Sequence, residues 1–210
     1  PGLKEDRRAV IGGGASVLRA LMQSLDIDKL NVAQGALRQG VLFEMVERDD
    51  QATDVRDISI QRLAQKFAVD QTQSQRVSRV ALQFFNKAIE NSEHEAQFVQ
   101  RLRRKLNWAA SMHEVGFAIS HSDYHKHGAY ILENADLLGF SMQELQRLGL
   151  LVLGHRGKLR KLEADFEEAE FIKMLIALRM AVILCHARKN PDQSGLEFNC
   201  NEKSKQFILE

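Results

Sequence analysis

The chain has 210 residues, with 29 Lys and Arg against 28 Asp and Glu, so its net charge is +1. That balance argues against a globally basic, nucleic-acid-coating surface, and no apolar run reaches the ~20 residues a membrane helix requires. The two cysteines, Cys185 and Cys200, define no disulfide framework, so a reducing, cytoplasmic setting is expected.

The first fifty residues hold six of the thirteen glycines, three of them in one run. "AVIGGGASVLRALMQSLDIDKLNVAQGALRQGVLFEMV" reads as a Gly-rich turn, a helix, a short strand (Lys29 to Ala33), a glycine turn and a second helix. One strand and two helices cannot close a sheet, so this segment is expected to be the tail of an α/β domain. "IGGGAS" precedes a helix but matches neither G-x-x-x-x-G-K-[ST] nor G-x-G-x-x-G, which leaves a phosphate loop and a packed glycine hinge both open.

From about Asp54 to Arg188 the pattern is helical. "QRVSRVALQFFNKAI" places Val77, Val80, Ala81, Phe84, Phe85 and Ile89 on one stripe. Ser92 with Glu95 reads as a capping box ahead of a helix carrying Phe98, Leu102, Leu106, Ala109 and Met112. Ser141 with Glu144 repeats the signal. Charge comes in blocks: Arg101, Arg103, Arg104 and Lys105, then "HRGKLRK" (155–161), then "EADFEEAE" with five acids in eight residues. Those acids suit the positive end of the last long helix. After Pro191, "GLEFNCNEKSKQFILE" alternates like two short strands around a polar turn. Neither end supplies partners for its own strands, so the segment is expected to be cut from a longer protein.

"MHEVGFAISHSDYHKHGAY" (112–130) holds four histidines, a glutamate and an aspartate. The pair His113–Glu114 in an all-helical setting resembles the HD-type metal phosphohydrolases. Such enzymes hold their metals through an earlier histidine, a His-Asp pair and a late aspartate. Here Gln73 stands at the first position, Glu114 replaces the aspartate of the pair, and Val182 stands at the last. An amide and an isopropyl group cannot replace imidazole and carboxylate ligands, so no metal is expected at this degenerate site of Gln73, His113, Glu114 and Val182. His121, His125 and His127 either face an anion or cap helix ends. "HRGKLRK" falls between two helices, where Arg156 is able to grip phosphate oxygens through its planar fork.

Taken together, "GALRQGVLFEM" (35–45), "MHEVGFAISHSDYHKHGAYILENADLLGFS" (112–141), "GHRGK" (154–158) and "LRMAVILCHAR" (178–188) resemble, in order and over nearly the whole chain, the exopolyphosphatase / guanosine pentaphosphate phosphatase family. The longer bacterial members of that family have two actin-like domains, an HD-like helical domain and a small terminal domain. The resemblance implies a mainly α chain. Residues 1–52 would end the second actin-like (ASKHA) domain, 53–190 would form the HD-like helical domain, and 191–210 would begin the terminal domain with a short β segment.

It also implies that the parent protein is a cytoplasmic bacterial exopolyphosphatase, a hydrolase of the terminal phosphate of inorganic polyphosphate. Its catalytic carboxylate, phosphate loops and Mg2+ ligands would lie upstream of Pro1, leaving no catalytic residue and no bound cofactor in this stretch. The share expected of this chain is polyphosphate binding through Arg38, His127, Arg156, Lys158, Arg160 and Lys161, with Lys126 secondary, together with homodimer formation. No nucleic-acid partner and no membrane insertion are implied. The alternatives are a guanosine pentaphosphate phosphatase or a metal-dependent HD-type phosphohydrolase.

Overall fold

In the computed structural model the described residues are 5–30, 54–90, 92–159, 168–192 and 196, with the backbone of two terminal strands at 198–201 and 206–209. The chain divides into two compact units, residues 1–34 and 35–210.

The described part of the first unit is one helix, α1 (Glu5–Ser24). It runs straight through Gly12, Gly13 and Gly14, so the expected glycine turn is not there. Each glycine in a helix interior costs about 1 kcal/mol relative to alanine. The helix-favouring runs on both sides carry the backbone through, and Ser16 Oγ bonds back to Gly12 O at 2.9 Å inside the segment. Lys29 and Leu30 are not in a strand; the rest of the expected strand, 31–33, lies outside the described residues.

The second unit is mainly helical: α2 (Val55–Lys66), α3 (Gln71–Ile89), α4 (Ala96–Met112), a 3-10 turn (Val115–Ala118), α5 (Tyr124–Asn134), α6 (Met142–Gly154) and α7 (Ala169–Leu184). Aspartates start the first two. Asp54 accepts from Arg56 N at 2.9 Å, and Asp70 accepts from Gln73 N at 3.0 Å. Burying an apolar stripe on each helix is the main driving force for their assembly. The predicted α3 stripe of Val77, Val80, Ala81, Phe84, Phe85 and Ile89 is buried. It joins Leu102, Leu106, Ala109 and Met112 of α4 and Leu175, Leu178 and Ala181 of α7 in one core. Trp108 seals one side, edge-on to Phe140 with ring centroids 4.8 Å apart, and its indole N–H donates to Asp57 at 2.5 Å.

The two capping boxes differ. Ser141 and Glu144 form theirs reciprocally, Glu144 N donating to Ser141 Oγ at 3.2 Å and Ser141 N to Glu144 Oε2 at 3.0 Å. Ser92 and Glu95 do not form one. Helix α4 starts at Ala96 behind Glu95, whose side chain makes no cap, and Ser92 Oγ instead accepts from the buried ammonium of Lys173 at 2.9 Å. A buried cation needs an oxygen more than a helix start does, so tertiary demand overrides the local signal. Of the acidic run, Glu168 stands at the N-cap of α7 and Glu170 in its first turn; 163–167 lie outside the described residues. At the C-terminus Phe198–Asn201 pairs antiparallel with Gln206–Leu209, Phe198 opposite Leu209.

Candidate functional site: a guanidinium-filled pocket and a basic turn

The start of α3 and the ends of α4 and α7 meet around Gln73, His113 and Glu114, the residues expected to form a degenerate metal site. Gln73 lies in the first turn of α3 and is buried. Its amide nitrogen donates to the carbonyl of Cys185, just past α7, at 2.9 Å. Helix α4 stops at Met112, so His113 is its C-cap and Glu114 leads into the 3-10 turn. His113 is buried, with Nδ1 against Ala110 O at 2.7 Å and Nε2 3.8 Å from Glu114 Oε1. Val182 packs its apolar side chain against the core.

Arg188 completes this pocket. Its Nη1 donates to Asp70 Oδ2 at 2.7 Å, and its Nη2 donates to the two oxygens of Glu114 at 2.9 and 3.1 Å. Its φ of 55° is left-handed, the turn that swings the side chain back across the helix ends. The guanidinium therefore lies between the carboxylates of Asp70 and Glu114. With an amide and a valine at the remaining positions, the residues do not fit a metal. Among the described residues no three His, Cys, Asp or Glu side chains group to hold an ion.

Behind the pocket runs a row of buried imidazoles. His113 and His155 stand edge to face with centroids 5.8 Å apart, and His155 and His125 follow at 6.3 Å. Burial pushes His155 down to about 3, and burial also lowers His113, so both sit neutral in the folded protein. His155 Nδ1 lies 2.5 Å from Val152 O and its Nε2 3.2 Å from the Tyr124 hydroxyl.

The row ends at the turn that leaves α6. Arg156 is exposed, and its guanidinium lies 5.2 Å from the centre of the Tyr124 ring, a cation–π distance. Gly157 has φ +82°, and a Cβ there would come within 3.3 Å of His125 Nε2. Lys158 follows, exposed. The stretches "YHKH" and "HRGK" thus share one surface, joined through Tyr124–His155 and His125–Gly157. From α7, Arg179 donates to Gly154 O at 2.6 Å and to Gly157 O at 3.1 Å.

Of the residues expected to bind phosphate, Arg156 and Lys158 stand together on this turn. His127 lies half-buried on α5, two residues past His125. Arg38, Arg160 and Lys161 fall outside the described residues. Lys126 is held by Asp123 at 2.6 Å. His121 stacks on Phe117 with centroids 4.8 Å apart, while His125 is buried beneath the turn. The sequence reading missed Asp70, Tyr124, Arg179 and Arg188. The two arginines do lie in the motif "LRMAVILCHAR", and their spacing of nine residues around the end of α7 was the available signal.

The second unit is thus a helical domain in which Arg188 fills the space beside His113 and Glu114 and an exposed basic turn leaves α6. The model of the Ppx/GppA phosphatase family matches residues 1–49, and that of Ppx/GppA phosphatase domain III matches residues 55–210. The chain belongs to the Ppx/GppA phosphatase family. A "guanosine-5'-triphosphate,3'-diphosphate pyrophosphatase" of Pseudoalteromonas translucida (strain TAC 125) is 38% identical over 195 residues, covering 90% of this chain and 38% of the relative. One of the same name from Pseudoalteromonas atlantica is 34% identical over 193 residues, with 90% and 38% covered. Another, from Vibrio cholerae (strain ATCC 39541), is 29% identical over 212 residues, covering 100% of the chain and 42% of the relative. The chain therefore spans about two fifths of these relatives. No described helix is long and apolar enough to cross a membrane.

Proposed function

We propose that this chain is the C-terminal region of a phosphatase that removes the terminal phosphate of guanosine pentaphosphate, and that its turn at Arg156–Lys158 holds the substrate by its phosphates. The observation that carries this reading is the exposed Arg156–Gly157–Lys158 turn, braced from beneath by Tyr124 and His155. A planar guanidinium and an adjacent ammonium match the oxygens of a phosphoanhydride chain, and each contact releases a counterion. The named activity of the relatives supplies the nucleotide. Hydrolysis itself is assigned to residues outside this chain, with Mg2+ bound there. Residues 1–52 would complete an actin-like domain and the helical domain would support a homodimer.

Inorganic polyphosphate is the second reading, because Arg156 and Lys158 recognise phosphates and not guanine. Equilibrium binding of guanosine pentaphosphate and of a polyphosphate of matched charge, across a salt series, separates the two. Affinity for both should fall steeply with salt and drop when Arg156 and Lys158 are replaced by alanine. Tighter nucleotide binding at equal charge supports the first reading and parity supports the second. Binding indifferent to salt and to both substitutions would overturn the site.

A further inference from the structure

A helix C-terminus is an unfavourable place to bind an anion. The last carbonyls of a helix lack intrahelical partners and together present roughly half a negative charge. The turn carrying Arg156 and Lys158 begins at such an end, since α6 closes at Gly154. It also contains Gly157 in a left-handed conformation, so its backbone is not held by helical geometry. Something must neutralise the carbonyls and fix the turn.

Arg179 does both. It stands on α7, half-buried, and its two terminal nitrogens reach opposite ends of the turn: Nη1 to Gly154 O at 2.6 Å and Nη2 to Gly157 O at 3.1 Å. One planar fork thus clamps the carbonyls that flank His155 and Arg156. Two of its five N–H donors are spent on the backbone carbonyls of the turn. We infer that Arg179 is a positioning residue for the anion-binding turn, clamping Gly154 and Gly157 so that Arg156 and Lys158 are presented to a phosphate chain. This inference rests on the reading above of Arg156 and Lys158 as the phosphate-binding pair.

The test uses the full chain and inorganic tripolyphosphate, titrated at several salt concentrations. Arg179→Lys keeps the charge but replaces the fork by a single ammonium. It should weaken binding roughly tenfold, within the range of coupling between neighbouring groups. In Arg179→Ala, which removes the charge, the slope of log K against log salt should still stay unchanged, because no phosphate contact is removed. In an Arg156→Ala background Arg179→Lys should cost less than twofold. A further variant, Gly157→Ala, disturbs the same turn without touching a charge, and should weaken binding to a similar degree with an unchanged slope. Native affinity in both Arg179→Lys and Gly157→Ala overturns the inference. So does a slope reduced by about one in Arg179→Ala, the variant that removes the charge, which would mark Arg179 as a direct phosphate ligand, and so does an equal loss in both backgrounds. If Arg156→Ala alone leaves tripolyphosphate binding at its native value, the underlying site is what fails, and this arm identifies that outcome separately.

Discussion

Arg188 Nη2 lies 2.9 and 3.1 Å from the two carboxylate oxygens of Glu114. The Glu114 side chain is only 11% exposed while that of Arg188 is 48% exposed, so the pair joins a nearly buried anion to a half-solvated cation. Through Asp70 the same guanidinium ties the start of α3 to the end of α4 and the residues beyond α7.

Removing Arg188 therefore leaves Glu114 buried without that cation. Arg188→Ala should cost about 1–3 kcal/mol, read as a lower urea midpoint, since a buried charge loses its charge-assisted bonds. The double variant Arg188→Ala/Glu114→Gln should recover part of that loss, because the orphaned charge goes with its partner. Tripolyphosphate affinity should be unaffected in either. Equal stability of the wild type and Arg188→Ala would refute the cross-link.

The imidazole row sets a pH dependence. His155 and His113 both have folded-state values below the 6.5 of an unperturbed histidine, and burial is the first cause for each. The unfolded chain then binds protons that the folded chain refuses as pH drops below 6.5. Stability is fully present above that pH and declines as pH falls below it, for His155 down to about 3, at up to about 1.4 kcal/mol per pH unit for each proton taken up. Urea midpoints measured between pH 8 and pH 4.5 should fall only below about 6.5. His155→Gln, compared with itself over the same range, should show a shallower decline; an identical slope would remove His155 as a source.

Gly116 sits where the 3-10 turn crosses the start of α5. A Cβ there would lie 1.9 Å from Tyr124 O and 2.6 Å from Gly128 N, both backbone atoms that cannot rotate away. Gly116→Ala should cost about 3 kcal/mol or more through overpacking and backbone displacement. It should also weaken tripolyphosphate binding, because it pushes on the residue whose ring supports Arg156. Thermal unfolding checks the first effect and titration of the folded fraction the second. A Tm equal to that of the wild type would show that the helices part freely there.

The helical class of the second unit was legible in the sequence because burial imposes a period of 3.6 on apolar residues, and Val77 to Ile89 repeat it without interruption. The Ser141–Glu144 box was equally legible, being a contact between residues three apart. Family membership could also be read in one dimension, since the order of several motifs carries that information. The amide of Gln73 and the hydrocarbon of Val182 could likewise be read directly. What fills the pocket could not, because Arg188 reaches Asp70 and Glu114 across 118 and 74 residues. The same holds for Ser92, drawn from its expected cap by Lys173, 81 residues away. It holds again for Arg179, which meets its turn only once α7 packs beside α6. Local composition determines periods, caps and charge blocks. Which cation neutralises which buried oxygen is decided by helices that meet only in the folded chain, where an unpaired charge is too costly to leave.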